Sequence, residues 1–496
     1  MEFNSIKFML FFPVVVGLYF VIPVKLRQFW LLVCSYYFYM SWNAGYAVLI
    51  AASTLITYVS GIVLEKCKSD ETKIRKRAML LLSLGINLSI LFIFKYANFI
   101  MGSLDKLLGL LHHGAINMRF HFLLPVGISF YTFQALGYTI DVYRGDVKAE
   151  RNLIRYALFV SFFPQLVAGP IERSKNLLSQ IRKTENVKFL GEGVTSGAIL
   201  MIWGYFMKMV ISDRVAILVN TVFDCYWMYG STELILAAVG FALQIYCDFG
   251  SYSLIAIGAA KIMGFELMEN FNTPYFARSI RDFWGRWHIS LSTWFRDYLY
   301  IPLGGNRKGN VRKAWNTMCV FLISGLWHGA NWSFVAWGGL HGLYQIAGDF
   351  LKPWKERVIQ KLCVNTKCFS WKLLQVCVTF VLVVFAWIFF RADSIRDALN
   401  YIRRIVKRPT PWMLFNGEIY TLGLDRVEMN VLLFGLVLLF LVDLVRYKER
   451  VTIDAFLMRQ NLWFRWFVMM GAVIVIFVYG KYGVGFDPQQ FIYFQF

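Results

Sequence analysis

Apolar stretches of about twenty residues, each with at most two charged side chains, recur along this 496-residue chain. They lie near 6–24, 29–49, 45–64, 78–99, 121–142, 153–171, 194–211, 232–260, 314–348, 373–390, 429–445 and 462–480. A helix of that length crosses the hydrocarbon core of a bilayer, about 30 Å thick. Backbone groups in lipid must be satisfied within their own segment, so the expected fold is all-α, a polytopic integral membrane helical bundle. Several stretches overlap or contain Gly and Pro, so roughly ten to twelve spans are expected, some of them re-entrant. Composition agrees: 58% of residues are apolar and 16% charged, against about 45–50% and about 25% in soluble domains.

The formal net charge is +21. On a soluble chain this would point to nucleic acid. Here the basic residues gather in loops between apolar stretches, the pattern of cytoplasmic loops. Residues 65–77 hold six Lys/Arg, and 278–313 hold eight against two acids. No basic motif falls outside such loops, so nucleic acid is not expected as a partner, whereas the lipid bilayer is. The eight cysteines are scattered without Cys-x-x-Cys or Cys/His ligand spacing, so neither a metal site nor a disulfide framework is expected. The first apolar run lacks a small-residue cleavage site and is expected to be a retained span.

The longest polar segments, 171–193, 266–313, 391–428 and 446–461, are each only a few tens of residues. We therefore expect a single membrane domain over 1–496, with no clean internal repeat of the kind that builds two-half transporters. Basic loops at 144–155 and 172–188 flank one apolar run holding Pro164 and Pro170. A re-entrant hairpin or a pair of half-helices would reconcile them. Residues 279–296 are too charged to cross a membrane. Their Trp284, Trp287, Trp294 and Phe295 alternate with Arg281, Arg286 and Arg296, which suits a helix lying at the cytoplasmic interface with its aromatics among headgroups.

Ionisable groups in apolar surroundings mark candidate chemistry. His328, in Gly-Leu-Trp-His-Gly-Ala-Asn-Trp, lies in the stretch 314–348, which has no Asp, Glu, Lys or Arg. A buried neutral imidazole can accept the proton of an incoming hydroxyl; it can equally be a core histidine bonded to a neighbouring carbonyl. Gly325 and Gly329 beside it would let a substrate or another helix approach closely. His288, in Asp-Phe-Trp-Gly-Arg-Trp-His-Ile-Ser, could bind a phosphate, polarise a thioester or be solvated. His341 is similarly ambiguous, and His112, His113 and His121 read as surface residues. Asp248 lies in an apolar run and is costly unless paired; it could orient a histidine or hold helices together. The glycine-rich turn 303–309 could cradle a phosphate but lacks Gly-Lys-Ser/Thr. Asp-x-Asp, Gly-x-Ser-x-Gly and His-Glu-x-x-His do not occur.

The run 243–342 resembles the membrane-bound O-acyltransferase family, in particular its bacterial branch of alginate and peptidoglycan O-acetylases. The resemblance is carried by Leu-Gln-Ile-Tyr-Cys-Asp-Phe (243–249), Glu-Asn-Phe-Asn-Thr-Pro-Tyr (269–275), Trp-His-Ile-Ser-Leu-Ser-Thr-Trp-Phe-Arg-Asp-Tyr-Leu-Tyr-Ile-Pro-Leu-Gly-Gly-Asn (287–306), Gly-Leu-Trp-His-Gly-Ala-Asn-Trp (325–332) and Trp-Gly-Gly-Leu-His-Gly (337–342). It implies a bundle enclosing a trans-membrane tunnel in a bacterial cytoplasmic membrane. His328 would be the catalytic base midway along the tunnel, and His288 the second signature residue, towards the cytosolic donor side. Asp248, Arg286, Trp327 and Asn331 would be tunnel or donor-binding residues. The family commonly has an acid where this chain has Leu254.

The resemblance further implies acetyl-CoA as acyl donor, with no bound cofactor and no metal. The acceptor would be an extracytoplasmic polysaccharide of alginate, peptidoglycan or cellulose type. Delivery would be completed by an SGNH-hydrolase-like acetyltransferase partner, because no extracytoplasmic domain is evident in the chain. The tail 481–496 ends Phe-Ile-Tyr-Phe-Gln-Phe and resembles both polysaccharide O-acetylases of this branch and the small accessory peptide of teichoic-acid D-alanylation. That likeness implies that Tyr493 relays the acyl group; an interfacial aromatic anchor is the alternative. Transfer of D-alanine or another acyl group is the same-family alternative, and a lipid or glycan flippase the alternative of another class.

Overall fold

The computed structural model describes residues 1–67, 73–111, 116, 118–120, 125–482 and 491–492. Tyr493, His112, His113 and His121 lie outside the described residues. Among the described residues the structure is all-helical, without strands, as the apolar periodicity requires. Among the described residues seven helices are long and apolar enough to cross a membrane: Tyr46–Lys66, Lys73–Leu110, Gly191–Asp224, Ser231–Ile262, Phe369–Arg391, Arg426–Glu449 and Leu462–Tyr479. The chain is a multi-pass membrane protein.

The other apolar stretches take shorter or interrupted forms. Ile6–Val21 is a 16-residue helix containing Pro13. The stretch 121–142 yields Ile128–Arg144, and the stretch 153–171 yields only the nine-residue Leu153–Ser161. Irregular chain then leads to a second nine-residue helix, Ser174–Arg182. The apolar run thus holds one short helix and irregular chain, and the second short helix lies in the basic segment 172–188. The stretch 314–348 is two helices, Gly309–His328 and Trp332–Lys361, because the chain breaks after His328 and Asn331 caps the second helix by accepting the Ser333 N–H at 3.1 Å.

The chain divides into two compact units. The first comprises Met1–Ala198 with Ile255–Met268. Its centre is Ile128–Arg144, a helix buried on nearly every side, so that even its Ser129, Thr132, Gln134, Thr139 and Asp141 lie inside the protein. Buried hydroxyls join helices across this unit: Tyr156 donates to Thr57 Oγ1 at 2.7 Å, and Ser53 donates to Asn87 Oδ1 at 2.6 Å. Arg27 donates to the Val187 carbonyl at 2.7 Å, satisfying a loop that lipid could not.

The second unit comprises Ile199–Leu254 with Glu269–Phe496. Helices Gly309–His328 and Trp332–Lys361 fold back on each other so tightly that only glycine fits at the crossing. A Cβ on Gly325 would run into the Phe334 carbonyl, and one on Gly338 into the Phe321 carbonyl. The small residues near His328 therefore admit a helix, one of the two occupants the sequence leaves open.

Residues 279–296 depart from the expected interfacial helix. They form two short helices, Ile280–Trp284 and Ile289–Phe295, and Trp284, Trp287, Trp294 and Phe295 are all buried in protein. Trp287 packs on Trp387 at 5.2 Å, and Trp387 stacks on Trp337 at 5.5 Å. Burial of large aromatics inside the unit, with partner rings supplied by other helices, wins over their affinity for headgroups.

Candidate active site

His288 and His328 converge in the second unit, with ring centroids 6.2 Å apart. Both are buried, His288 completely, so the solvated reading of His288 does not hold. Each sits at the end of a helix. His328 closes Gly309–His328, and its Nδ1 lies 2.7 Å from the Ser324 carbonyl oxygen. A carbonyl only accepts, so Nδ1 carries the proton and Nε2 presents its lone pair. That is the tautomer of a general base, and the ring is held by its own helix.

His288 precedes Ile289–Phe295 with φ 43° and ψ 53°, a left-handed backbone in a residue with a Cβ. Such a conformation costs on the order of 1–3 kcal/mol and persists only where the surroundings impose it. Asn270 supplies much of that constraint. Its carbonyl accepts the Ile289 N–H at 3.0 Å, its Oδ1 accepts the Ser290 hydroxyl at 2.6 Å, and its Nδ2 donates to Ser253 Oγ at 3.0 Å. The turn bearing His288 is thereby tied to the helix Ser231–Ile262. Phe249, on that helix, packs edge-on against the His288 ring at 4.6 Å. Burial first, and the adjacent His328 second, hold the His288 imidazole well below its ordinary pKa, so it is neutral.

Trp327 belongs to this cluster, 4.9 Å from His328 and 5.9 Å from His288 between ring centroids. His341 lies beyond it in the same aromatic wall, accepting the Trp284 indole N–H on Nδ1 at 3.2 Å. Arg286 and Asn331 are occupied elsewhere. Arg286 donates to Asp282 at 2.7 Å and to Thr273 Oγ1 at 3.2 Å, holding its own loop together. Asn331 donates to the Asp393 carbonyl at 2.7 Å while capping its helix. Asp248 accepts from Lys208 Nζ at 2.6 Å, and Asp213 lies 3.0 Å from the same ammonium. Of its two sequence readings, Asp248 takes the one that holds helices together.

A cavity of about 600 Å³ opens beside the histidines. Ser324, whose carbonyl holds His328, lines it, as does Ile289, next to His288. Arg281, Arg296 and Lys313 line it too. Asp349 grips two of these cations, Arg281 at 2.7 Å and Lys313 at 2.6 Å. Burial alone would raise the Asp349 carboxyl, but the Lys313 hydrogen bond and the Arg281 charge outweigh it and hold its pKa below the usual carboxylate range. In the turn at 303–309 the Gly304 and Gly305 N–H groups are used internally, bonding the Ile301 and Tyr300 carbonyls at 3.0 Å each, so these two do not face a phosphate. Among the described residues no His/Cys/Asp/Glu cluster could hold a metal ion.

Sequence reasoning did not single out Lys208 or Asn270. Lys208 carried a signal: it is the one charge in the apolar run 193–212, and a lone charge there demands a partner. Asn270 carried none beyond lying in a motif segment.

Comparison with known proteins gives the chain's family. The model of the membrane-bound O-acyltransferase family matches residues 149–392. The chain is 40% identical to the probable alginate O-acetylase of Pseudomonas putida over 402 residues, covering 80% of this chain and 79% of the relative. It is 32% identical to the peptidoglycan O-acetyltransferase of Helicobacter pylori over 403 residues, 76% of this chain and 73% of the relative. The teichoic acid D-alanyltransferase of Bacillus subtilis is 28% identical over 47% of this chain and 60% of its own length. A buried histidine pair beside a basic-rimmed cavity, in a helical membrane protein with these relatives, identifies the chain as an enzyme of the membrane-bound O-acyltransferase family.

Proposed function

We propose that this chain O-acetylates an extracytoplasmic polysaccharide, using acetyl-CoA from the cytosol, in the cytoplasmic membrane of a bacterium. The carrying observation is His328: buried, fixed as the Nδ1–H tautomer by the carbonyl of Ser324, a residue that lines the basic-rimmed cavity. A thioester donor with several phosphates suits that cavity. Arg281, Arg296 and Lys313 attract the phosphates, and the acyl group reaches inward past Ser324 towards the histidines. His288, neutral and aromatic-walled, would bound the donor end of the passage.

The step we assign to His328 is proton removal. Its Nε2 takes the phenolic proton of Tyr493, and the phenolate oxygen attacks the thioester carbonyl. The C–S bond breaks, and the thiolate leaves with the proton returned from His328. The product is an acetyl ester on Tyr493, which a serine of an SGNH-hydrolase-like partner would accept and pass to the glycan. An aryl ester keeps enough transfer potential for that onward step, which is covalent catalysis in two stages.

Acetyl rather than D-alanyl transfer is favoured by the relatives. The alginate and peptidoglycan O-acetylases are more similar and are matched over more of the chain than the D-alanyltransferase. Deleting the chain from its host should remove ester-linked acetate from an extracytoplasmic glycan, measured by base-labile acetate release, and re-expression should restore it. Unchanged acetate, or loss of ester-linked D-alanine instead, would refute the reading.

A further inference from the structure

The Lys208–Asp213–Asp248 cluster is left without a task by this mechanism, yet it is one of the most buried polar groups in the second unit. Two carboxylates share one ammonium, and Asp248 takes further donors. Ser212 Oγ donates to its Oδ1 at 3.4 Å, and the structure supplies another donor from far along the chain. The Ile492 backbone N–H donates to Asp248 Oδ2 at 2.6 Å. Phe491 lays its ring over the same centre, 4.3 Å from Lys208 Nζ, with Tyr252 edge-on at 5.0 Å. Phe491 is 2% and Ile492 3% exposed.

The backbone around Lys208 is shaped for the same segment. Phe206–Ser212 is a π-helical turn, which disrupts the regular pairing of carbonyls. The Met209 carbonyl accepts the Lys481 N–H at 3.0 Å, and the Lys481 side chain pairs with Glu428. The chain is thus gripped at two points by one turn and its ion cluster: at Lys481, just past the helix Leu462–Tyr479, and again at Ile492.

We propose that the buried ion cluster Lys208–Asp213–Asp248, with the π-helical turn that carries Lys208, is a dock for the chain's own segment at Phe491–Ile492. In it Asp248 and Lys208 act as positioning residues for the acyl-accepting tail. Asp248 fixes the backbone through a charge-assisted hydrogen bond, stronger than one between neutral groups. Lys208 holds the Phe491 ring by cation–π attraction, which gains strength where water is excluded. The dock adjoins the histidines through the helix Ser231–Ile262: Asp248 holds the tail, and the next residue, Phe249, packs on His288. The docking stands on these contacts alone; its use in catalysis rests on the Tyr493 relay proposed above.

Hydrogen–deuterium exchange of the full-length protein in lipid nanodiscs tests the dock. Tail peptides containing Phe491 and Ile492 should exchange at least tenfold more slowly in the wild type than in Asp248→Ala or Ile492→Pro. The second change removes the donated N–H without touching the cluster, so it decides the matter if Asp248→Ala does not fold. Exchange over 206–224 and 231–262 should stay at the wild-type level in Ile492→Pro, which a general loss of structure would not allow. Ile492→Pro should also slow acetylation of the tail at least tenfold without changing the KM for acetyl-CoA. A wild-type tail that exchanges as fast as Ile492→Pro, or a tail equally protected in both variants, overturns the dock. Protection lost with tail acetylation at the wild-type rate overturns the positioning role. Tyr493→Phe should keep full protection, so failure of the relay would appear as a missing acetyl adduct and not as a change in exchange.

Discussion

Replacing His328 with Ala lowers glycan acetylation by about 10²–10⁴-fold, the contribution of a positioned general base, while the protein stays folded in the membrane. At about 1.36 kcal/mol per tenfold change, that is roughly 3–5 kcal/mol of transition-state stabilisation. The expectation rests on the Ser324 carbonyl, which leaves Nε2 as the basic nitrogen. A core histidine with only a packing role would give a different pattern, namely lower thermal stability with acetylation intact in whatever protein survives. His328→Gln sharpens the distinction, because an amide can still donate towards the Ser324 carbonyl but cannot act as the base. Acetate release from cells carrying each variant, normalised to membrane-inserted protein, makes the measurement. Wild-type acetylation in either variant would remove His328 from the mechanism.

Lys208→Met is expected to destabilise the protein by about 3–5 kcal/mol, the cost of leaving buried charges without their partner. Asp213 and Asp248 lie 3.0 and 2.6 Å from the Lys208 ammonium, and all three side chains are almost fully buried. Removing the cation takes from two buried carboxylates the ammonium they share. A triple change, Lys208→Met with Asp213→Asn and Asp248→Asn, should recover much of the loss, because neutralising a whole buried ion cluster is often close to neutral in stability. Thermal unfolding in one detergent, compared across the set, measures this. Equal melting temperatures for wild type and Lys208→Met would show that the cluster does not hold the unit together.

Much of the architecture was legible because lipid leaves few choices: apolar runs near twenty residues became helices, with spanning length at seven of them. Periodicity does not reveal where a run is interrupted. The break at Gly329–Asn331 depends on a cap and on a glycine crossing that only the folded pair displays. The tryptophans of 279–296 were misleading for a related reason. Trp beside Arg reads as interfacial until Trp337 and Trp387, distant in sequence, arrive to cover it. At the site, His288 and His328 were named by their strings, and their 6.2 Å approach follows from neither. Arg286 sits in the same motif as His288, yet it faces Asp282 and Thr273. One motif supplies both a residue of the buried histidine cluster and a residue that ties its own loop, and only geometry separates them. Asn270 was silent in the sequence because a neutral amide gains its role from what it can reach. Lys208 was audible, since a charge inside a span is expensive wherever it occurs.

The central claim is that His328 drives transfer of an acetyl group from a cytosolic thioester onto Tyr493. Intact-mass spectrometry of the purified full-length protein after incubation with acetyl-CoA tests it most directly. The account predicts one acetyl group on the wild-type chain, mapped to Tyr493, and none on His328→Ala or Tyr493→Phe. A wild-type preparation that turns over acetyl-CoA and supports glycan acetylation without ever carrying that adduct, or an adduct that persists in His328→Ala, would contradict it.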